Sequence, residues 1–356
     1  MIDYTFEITS DIHSLKKEWL HLDDSASQLI EEGKLPYIQY SFYQTYGWNE
    51  FLFASYRYSN TKRICYVISR EGEKIVSILP LVINLRKHTV SIANGGVAGI
   101  LNVASLLYLR DDAELIMRQL GQYLIKQFPH DTFTFHSVPI STPFFKGMKE
   151  FSSSITTRGS YHIPLSEFGS FENYFQSLSK NVRQNIRTAY NRIKKDGREL
   201  SLEVYNETSK IPTRVLFKIW SIYYKRKLEW HRRSAPFLLK TIPRMRALWE
   251  ILFGRNNKSV RDVSNSCLYV LKMDNEIIAF MYVFLHDQHA IVPKLAISSD
   301  YSHYSPGYIL IAESIKEMFK RGIVDMDLCR GDEEYKTKVG GINEPLGKIE
   351  IAASSI

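Results

Sequence analysis

The chain has 356 residues, 44% of them hydrophobic, with 46 Lys and Arg against 38 Asp and Glu for a formal net charge of +8. That balance excludes wholesale disorder, and the length exceeds what one hydrophobic core usually organises, so two domains are expected. The positive excess favours anionic ligands; with no block of five or six like charges forming a basic tail, a phosphate-bearing small molecule accounts for it as well as nucleic acid does.

In chain order, Ile12 to Ile30 carries helical spacing at Leu15, Trp19, Leu20 and Leu22, and Gln39 to Trp48 is a second, aromatic-rich helical segment. Arg63 to Arg70 and Lys74 to Leu85 read as strands joined by the turn Glu71-Gly72-Glu73. Lys87 to Ile92 is a third strand, Asp111 to Phe128 a helix, and Thr132 to Ser137 a strand. Residues 138 to 170, with Pro139, Pro143, Gly159 and Pro164, form the expected boundary region, and His162 to Leu165 a candidate edge strand.

The second half repeats this order. Phe171 to Lys195 predicts one helical stripe through Phe175, Leu178, Val182, Ala189 and Ile193, and Val215 to Leu228 another helix. Strands over Cys267 to Met273 and Glu276 to Leu285 flank an Asp274-Asn275 hairpin turn; His289 to Ser298 is a strand, Gly307 to Lys320 a helix and Val324 to Leu328 a strand. The repeat of element order predicts a tandem duplication, with domains at 1–150 and 151–356 and a ligand cleft between them.

Cys65, Cys267 and Cys329 are too widely spaced for a disulfide framework or a CxxC pair, so buried thiols and no metal are expected. Met1 to Glu7 lacks the basic and apolar regions of a signal peptide, and no apolar run approaches the ~20 residues that span a bilayer. A cytoplasmic protein without membrane insertion is the expectation.

Chemistry concentrates near the C-terminus. Ser305-Pro306-Gly307-Tyr308 opens a helix, whose unpaired N–H groups and positive dipole end can seat a pyrophosphate. Acid, base and cation candidates follow in Asp325 to Lys336. Moving an acyl group from a thioester to an amine needs a neutral amine, a polarised carbonyl and a protonated leaving thiolate. Asp332 or Asp327 can take the ammonium proton, and Tyr335 can protonate the sulfur. Capping by Asp332, ion pairing of Asp327 with Arg330 or Lys336, and packing of Tyr335 stand beside those roles. Lys180, Arg183, Arg187 and Lys194 share a helical face, and Lys225-Arg226-Lys227 with Trp230 sets an aromatic plane among cations. Asn94-Gly95-Gly96 is a glycine-rich turn at the place where the second half has its phosphate turn.

Ser179-Lys180-Asn181-Val182-Arg183, Leu228-Glu229-Trp230, Ser305-Pro306-Gly307 and Arg330-Gly331-Asp332-Glu333-Glu334-Tyr335-Lys336 together give a chain that resembles the tandem GNAT acyltransferases, in particular cellulose-biosynthesis acetyltransferase-like proteins and N-acyltransferases of nucleotide-linked amino sugars. The resemblance implies an α/β (α+β) protein of two tandem GNAT-like domains, each a mixed sheet flanked by helices, the first degenerate and on the acceptor side, the second binding acyl-CoA. It implies that Leu295, Ala296, Ile297 and Ser298 of a splayed strand, with Ser302, Tyr304, Ser305, Gly307 and Tyr308, hold the cofactor, and that Tyr335 is the acid. The usual Arg/Gln-x-x-Gly-x-Gly/Ala signature is absent from that turn. Arg330, Lys336, Arg226, Trp230, Asn94 and Gly95 are the acceptor-binding candidates. The expected reaction is direct acylation of an amino sugar such as a dTDP-3-amino-3,6-dideoxyhexose for surface polysaccharide (O-antigen) biosynthesis. Aminoacyl-tRNA-dependent peptidoglycan bridge formation and a non-catalytic nucleic-acid-binding module are the alternatives.

Overall fold

In the computed structural model of the chain, residues 4–37, 40–93, 104–105, 111–230, 236–263 and 265–352 are described. The strands are β1 (Tyr4–Thr9), β2 (Lys62–Glu71), β3 (Lys74–Asn84), β4 (Thr89–Ile92), β5 (Ala104–Ser105), β6 (Thr132–Pro139), β7 (Ser154–Arg158), β8 (Ser160–Ile163), β9 (Leu200–Tyr205), β10 (Ser266–Met273), β11 (Glu276–His286), β12 (His289–Ile297), β13 (Asp325–Arg330), β14 (Ile342–Asn343) and β15 (Leu346–Ile351). The α-helices are α1 (Lys16–Glu31), α2 (Tyr46–Tyr56), α3 (Ala113–Gln127), α4 (Pro143–Met148), α5 (Phe171–Ser177), α6 (Lys180–Lys195), α7 (Thr213–Trp230), α8 (Pro236–Phe253), α9 (Arg255–Asp262), α10 (Pro306–Lys320) and α11 (Glu334–Lys338). The chain divides into two units: Met1–Ser160 with Cys329–Asp332 and Asn343–Ile356, and Tyr161–Leu328 with Glu333–Ile342.

The first sheet runs β1-β2-β3-β4-β6-β15-β7, with β5 on β3, and is antiparallel except where β4 meets β6. Trp19 of α1 packs edge-on against Tyr66 of β2, 5.7 Å between rings, and its indole N–H donates to the Gln44 carbonyl at 2.8 Å. Burying that much aromatic surface with its polar atom satisfied is what fixes α1 on the sheet. Strand β15, from the far end of the sequence, pairs with both β6 and β7.

The second sheet runs β14-β8-β13-β12-β11-β10-β9. Asp274 and Asn275 both take left-handed backbone angles (φ 50° and 66°), the geometry that lets two strands turn back with the right twist. Alternate side chains of β11 leave on opposite faces. Met281 and Val283 join a buried cluster with Val182 and Ile186 of α6 and Ile309 and Ile315 of α10. Phe280 meets Trp220 of α7, 6.3 Å between rings, and the Trp220 indole donates to Asn257 at 3.1 Å. Helices thus cover both faces.

Two sequence expectations change. The predicted stripe from 171 to 195 is two helices, because Ser179 turns extended (φ −58°, ψ 150°) and its hydroxyl accepts the Val182 N–H. Arg183 then donates to the carbonyls of Gln176 and Leu178, both at 2.6 Å, closing the end of α5. Ser at an N-cap and Arg on the last carbonyls win locally over continuous apolar spacing. The stretch between Leu228 and Cys267, to which the sequence assigned no element, carries α8 and α9; Pro243 inside α8 and the many cations hide the helical pattern.

At the head of β12, burial pushes the His289 imidazole down to about 4. The neutral ring is then native while the unfolded chain takes up a proton below about 6.5, so stability is complete above pH 6.5 and declines as pH falls toward 4. Urea unfolding across pH 4 to 7 is expected to show that decline, and His289→Gln to flatten it. Met326, fully buried in β13, should cost about 2–5 kcal/mol as Met326→Ala in the same assay.

Candidate active site

Strand β12 determines the site. It pairs in parallel with β13 over only three residues, His289 with Asp325, Ala290 with Met326 and Ile291 with Asp327. On its other side the register with β11 shifts between Tyr282 and Phe284, taking Pro293 out of the ladder. A proline has no N–H to donate, and a bulge is where a strand tolerates it. Beyond that kink the side chains of Leu295 and Ile297 are only partly buried.

Those two side chains line a cavity of about 350 Å³ within the second unit, with Ser302, Ser305, Pro306, Gly307, Tyr308, Tyr335 and Arg226 on its other walls. Its floor is the start of α10. Ser305 sits left-handed (φ 50°, ψ 53°) and its side chain caps no N–H, while Pro306 has none to offer. The routine explanation of a Ser-Pro pair, a side-chain cap, therefore does not apply, and the positive end of α10 opens toward the cavity. A Cβ on Gly307 would lie 3.7 Å from Ile297 Cγ2, an ordinary contact. Protein packing does not demand glycine there, and the absence of a side chain leaves the backbone open to the cavity.

A second cavity of about 650 Å³, also within the second unit, is lined by Lys218, Lys225, Glu229, Arg244, Ser298 and Asp300, among others. Ser299 Oγ donates to Glu229 at 2.6 Å, and Lys225 pairs with Asp300 at 2.6 Å. Arg226 on the first cavity and Glu229 on the second approach to 3.6 Å. One turn of α7 is therefore a wall common to both.

Of the cofactor candidates, Leu295, Ile297, Ser302, Ser305, Gly307 and Tyr308 meet in the first cavity, joined by Tyr335 and Arg226. Ala296 is buried, opposite Phe280 in the sheet, and Ser298 belongs to the second cavity. Tyr304 donates to Asp196 at 2.8 Å, a bond that holds its phenol above the ordinary value, and it lines neither cavity. Asp332 groups with the first unit, where one oxygen accepts the Gly159 N–H at 3.0 Å; Arg330 donates to Ser137 there, also at 3.0 Å. Asp327 is buried within β13. Lys336 is buried, 3.0 Å from Glu333 and beneath the Tyr161 ring. The Trp230 side chain, Asn94 and Gly95 lie outside the described residues.

Among the cavity-lining residues that sequence reasoning missed is Glu229. It stands in the Leu228-Glu229-Trp230 motif, but only the α7 turn shared by two cavities separates it from other surface carboxylates.

Residues 180–337 match the acetyltransferase (GNAT) domain family. No curated protein matches the chain. Among solved structures, a tandem GNAT protein from the clavulanic acid biosynthesis pathway, in a form without AcCoA, is 12% identical with a TM-score of 0.55, covering 99% of each chain. L-PGS from Bacillus licheniformis is 11% identical with a TM-score of 0.50, covering 84% of this chain and 90% of that one. These likenesses establish the tandem GNAT fold, two mixed sheets flanked by helices, as expected. The expected enzyme class, an acyl-CoA-dependent N-acyltransferase, stands on the domain match.

Gly307→Ala separates a fold role from a ligand role. Alanine gains up to ~1 kcal/mol of helix propensity over glycine, so thermal unfolding should be unchanged or slightly later. Calorimetric affinity for coenzyme A should fall roughly tenfold or more, because the methyl intrudes where the backbone must approach a phosphate.

Proposed function

We propose that this chain N-acylates a nucleotide-linked amino sugar, such as a dTDP-3-amino-3,6-dideoxyhexose, using acyl-CoA, as a step in surface polysaccharide assembly and within the cellulose-biosynthesis acetyltransferase-like group. The observation that carries the reading is the pair of cavities sharing the Arg226–Glu229 contact. In this reading the second unit carries the acyl donor: an apolar strand edge and an uncapped helix start suit a long thioester arm ending in phosphates. Lys218, Lys225 and Arg244 line the other cavity with Glu229, a set that suits an acceptor combining phosphates with an amine. Arg244 has no ion-pair partner among the described residues, so it is open to a phosphate.

Acyl-CoA supplies the activated acyl carbonyl; the chain's own residues handle protons and position. Glu229 accepts the proton of the acceptor ammonium, freeing the nitrogen lone pair. As the nitrogen–carbon bond forms and the carbon–sulfur bond breaks, the Tyr335 hydroxyl gives its proton to the departing sulfur, and the second nitrogen proton, shed as the amide forms, returns through solvent to the Tyr335 phenolate. Glu229 takes the base role in place of Asp332 and Asp327, since Asp332 holds the Gly159 amide and Asp327 is enclosed in its strand. Direct attack is preferred to an acyl-enzyme. Cys65 and Cys267 are buried with thiols raised to about 12, and Cys329 is buried too.

Purified protein given acyl-CoAs and a panel of nucleotide amino sugars should release free thiol only with a matched pair. Absence of release with every pair, together with no calorimetric binding of coenzyme A, would remove the reading. Tyr335→Phe and Glu229→Gln should each lower kcat by roughly a hundredfold or more. Turnover unchanged in either variant across pH takes that residue out of the mechanism.

A further inference from the structure

Helix α8 carries an apolar surface that neither cavity uses. Met245, Leu248, Trp249, Leu252 and Phe253 are 64, 54, 61, 67 and 67% exposed. Twelve large hydrophobic side chains are exposed among the described residues, and these five fall within nine consecutive positions, whereas the others are scattered. At 100° per residue they occupy one arc of roughly 140°. Arg244 and Arg246, both exposed, stand at its two margins.

The opposite side of the helix is anchored. Pro243, Ala247 and Glu250 are buried, Tyr224 of α7 donates to Glu250, and Glu250 accepts the Asn257 N–H of α9 at 3.0 Å. Gly254 leaves no room for a side chain beside Glu250. The apolar arc is therefore the outer face of a packed helix, held in place by α7 and α9. Five exposed apolar side chains clustered on one helix face signal a binding face.

Charge selects the occupant. Residues 231–262 contain eight Lys and Arg against two carboxylates, +6 of the chain's +8, and the other 324 residues supply only +2. One of the two carboxylates is Glu250, turned inward. A symmetric contact between two copies would bring Arg244 and Arg246 of each against those of the other at the margins of the patch. An anionic bilayer offers the matching order instead: acyl chains for a central apolar arc, and phosphate headgroups for arginines on both sides whose aliphatic stems can lie along it. No helix among the described residues is long and apolar enough to cross a membrane. The geometry is that of a helix lying on a bilayer.

We propose that the outer face of α8 docks this protein on anionic membrane surfaces. Arg244 lies at the margin of this face and also lines the 650 Å³ cavity, so docking brings that cavity beside the headgroups. The inference holds whatever acceptor the cavity takes.

Co-sedimentation of the full chain with phosphatidylcholine vesicles containing a quarter phosphatidylglycerol tests it, against vesicles of phosphatidylcholine alone. Retention on the anionic vesicles alone, weakened by salt, is expected. The variant Trp249→Glu/Leu252→Glu changes exposed positions, so its thermal melt should match the parent while its vesicle partitioning drops tenfold or more. Arg246→Gln should lower partitioning roughly fivefold. No retention on anionic vesicles, or undiminished retention of the Trp249→Glu/Leu252→Glu variant, overturns the proposal. So does a dimer in light scattering that this variant converts to monomer, which would give the face to a second copy.

Discussion

The short parallel pairing of β12 with β13 is the constraint on which the candidate site depends. Parallel hydrogen bonding over three residues is enough to fix the two strands side by side at one end. Past Ile291, the bulge at Pro293 turns β12 while its pairing with β11 resumes at Lys294. The strand is thereby held firmly on one edge and released on the other. A released edge within a sheet would ordinarily leave unpaired backbone groups, which is costly unless another chain or a ligand pairs with them. Placing the start of α10 and the side chain of Tyr335 around Leu295 and Ile297 turns that edge into a lined cavity rather than a defect.

The same device occurs in the first unit. There β4 joins β6 in parallel over three residue pairs, Thr89 with Thr132, Val90 with Phe133 and Ser91 with Thr134, after an antiparallel run β1-β2-β3-β4. Both post-helix strands contain a left-handed residue near their ends, Ser137 in β6 and Cys329 in β13, each with φ of 60°. Left-handed angles at non-glycine residues are uncommon and need surrounding structure to hold them. Their recurrence at similar places in two sheets of one chain supports duplication of a single folding unit more strongly than the order of elements alone.

Much of this was legible in the residues. The alternation in β10 and β11, the Asp274-Asn275 turn and the apolar period of α10 predict their elements because one local rule dominates each. The cavity residues from Leu295 to Tyr308 were found for a similar reason: strand edge, turn and helix start are contiguous in sequence. The failures have a common origin in distance along the chain. Glu229 and Arg244 reach one cavity from α7 and α8, far from the residues of β12 they accompany. Asp332 and Tyr335 are three residues apart in sequence, yet the chain passes from one unit to the other between them. β15 could not be foreseen either, since nothing local says that Leu346 to Ile351 pairs with β6, some two hundred residues earlier.

Net charge carried a different lesson. Taken over the whole chain, +8 argues for an anionic ligand at the active site, but the excess is concentrated between 231 and 262. Within the second cavity, three cations face two carboxylates, and Lys225 is engaged by Asp300 while Lys218 pairs with Glu276 at 2.7 Å. Those pairs are partly exposed, so each is worth little in isolation, and a phosphate with more charge can displace the carboxylate from its lysine at small cost. Long-range attraction, in contrast, follows the summed field and not the pairs. It is set by the α8 and α9 region, whose cations attract an extended anionic surface. The residues lining the cavity select a ligand at short range, and the basic segment determines where in its surroundings the protein resides.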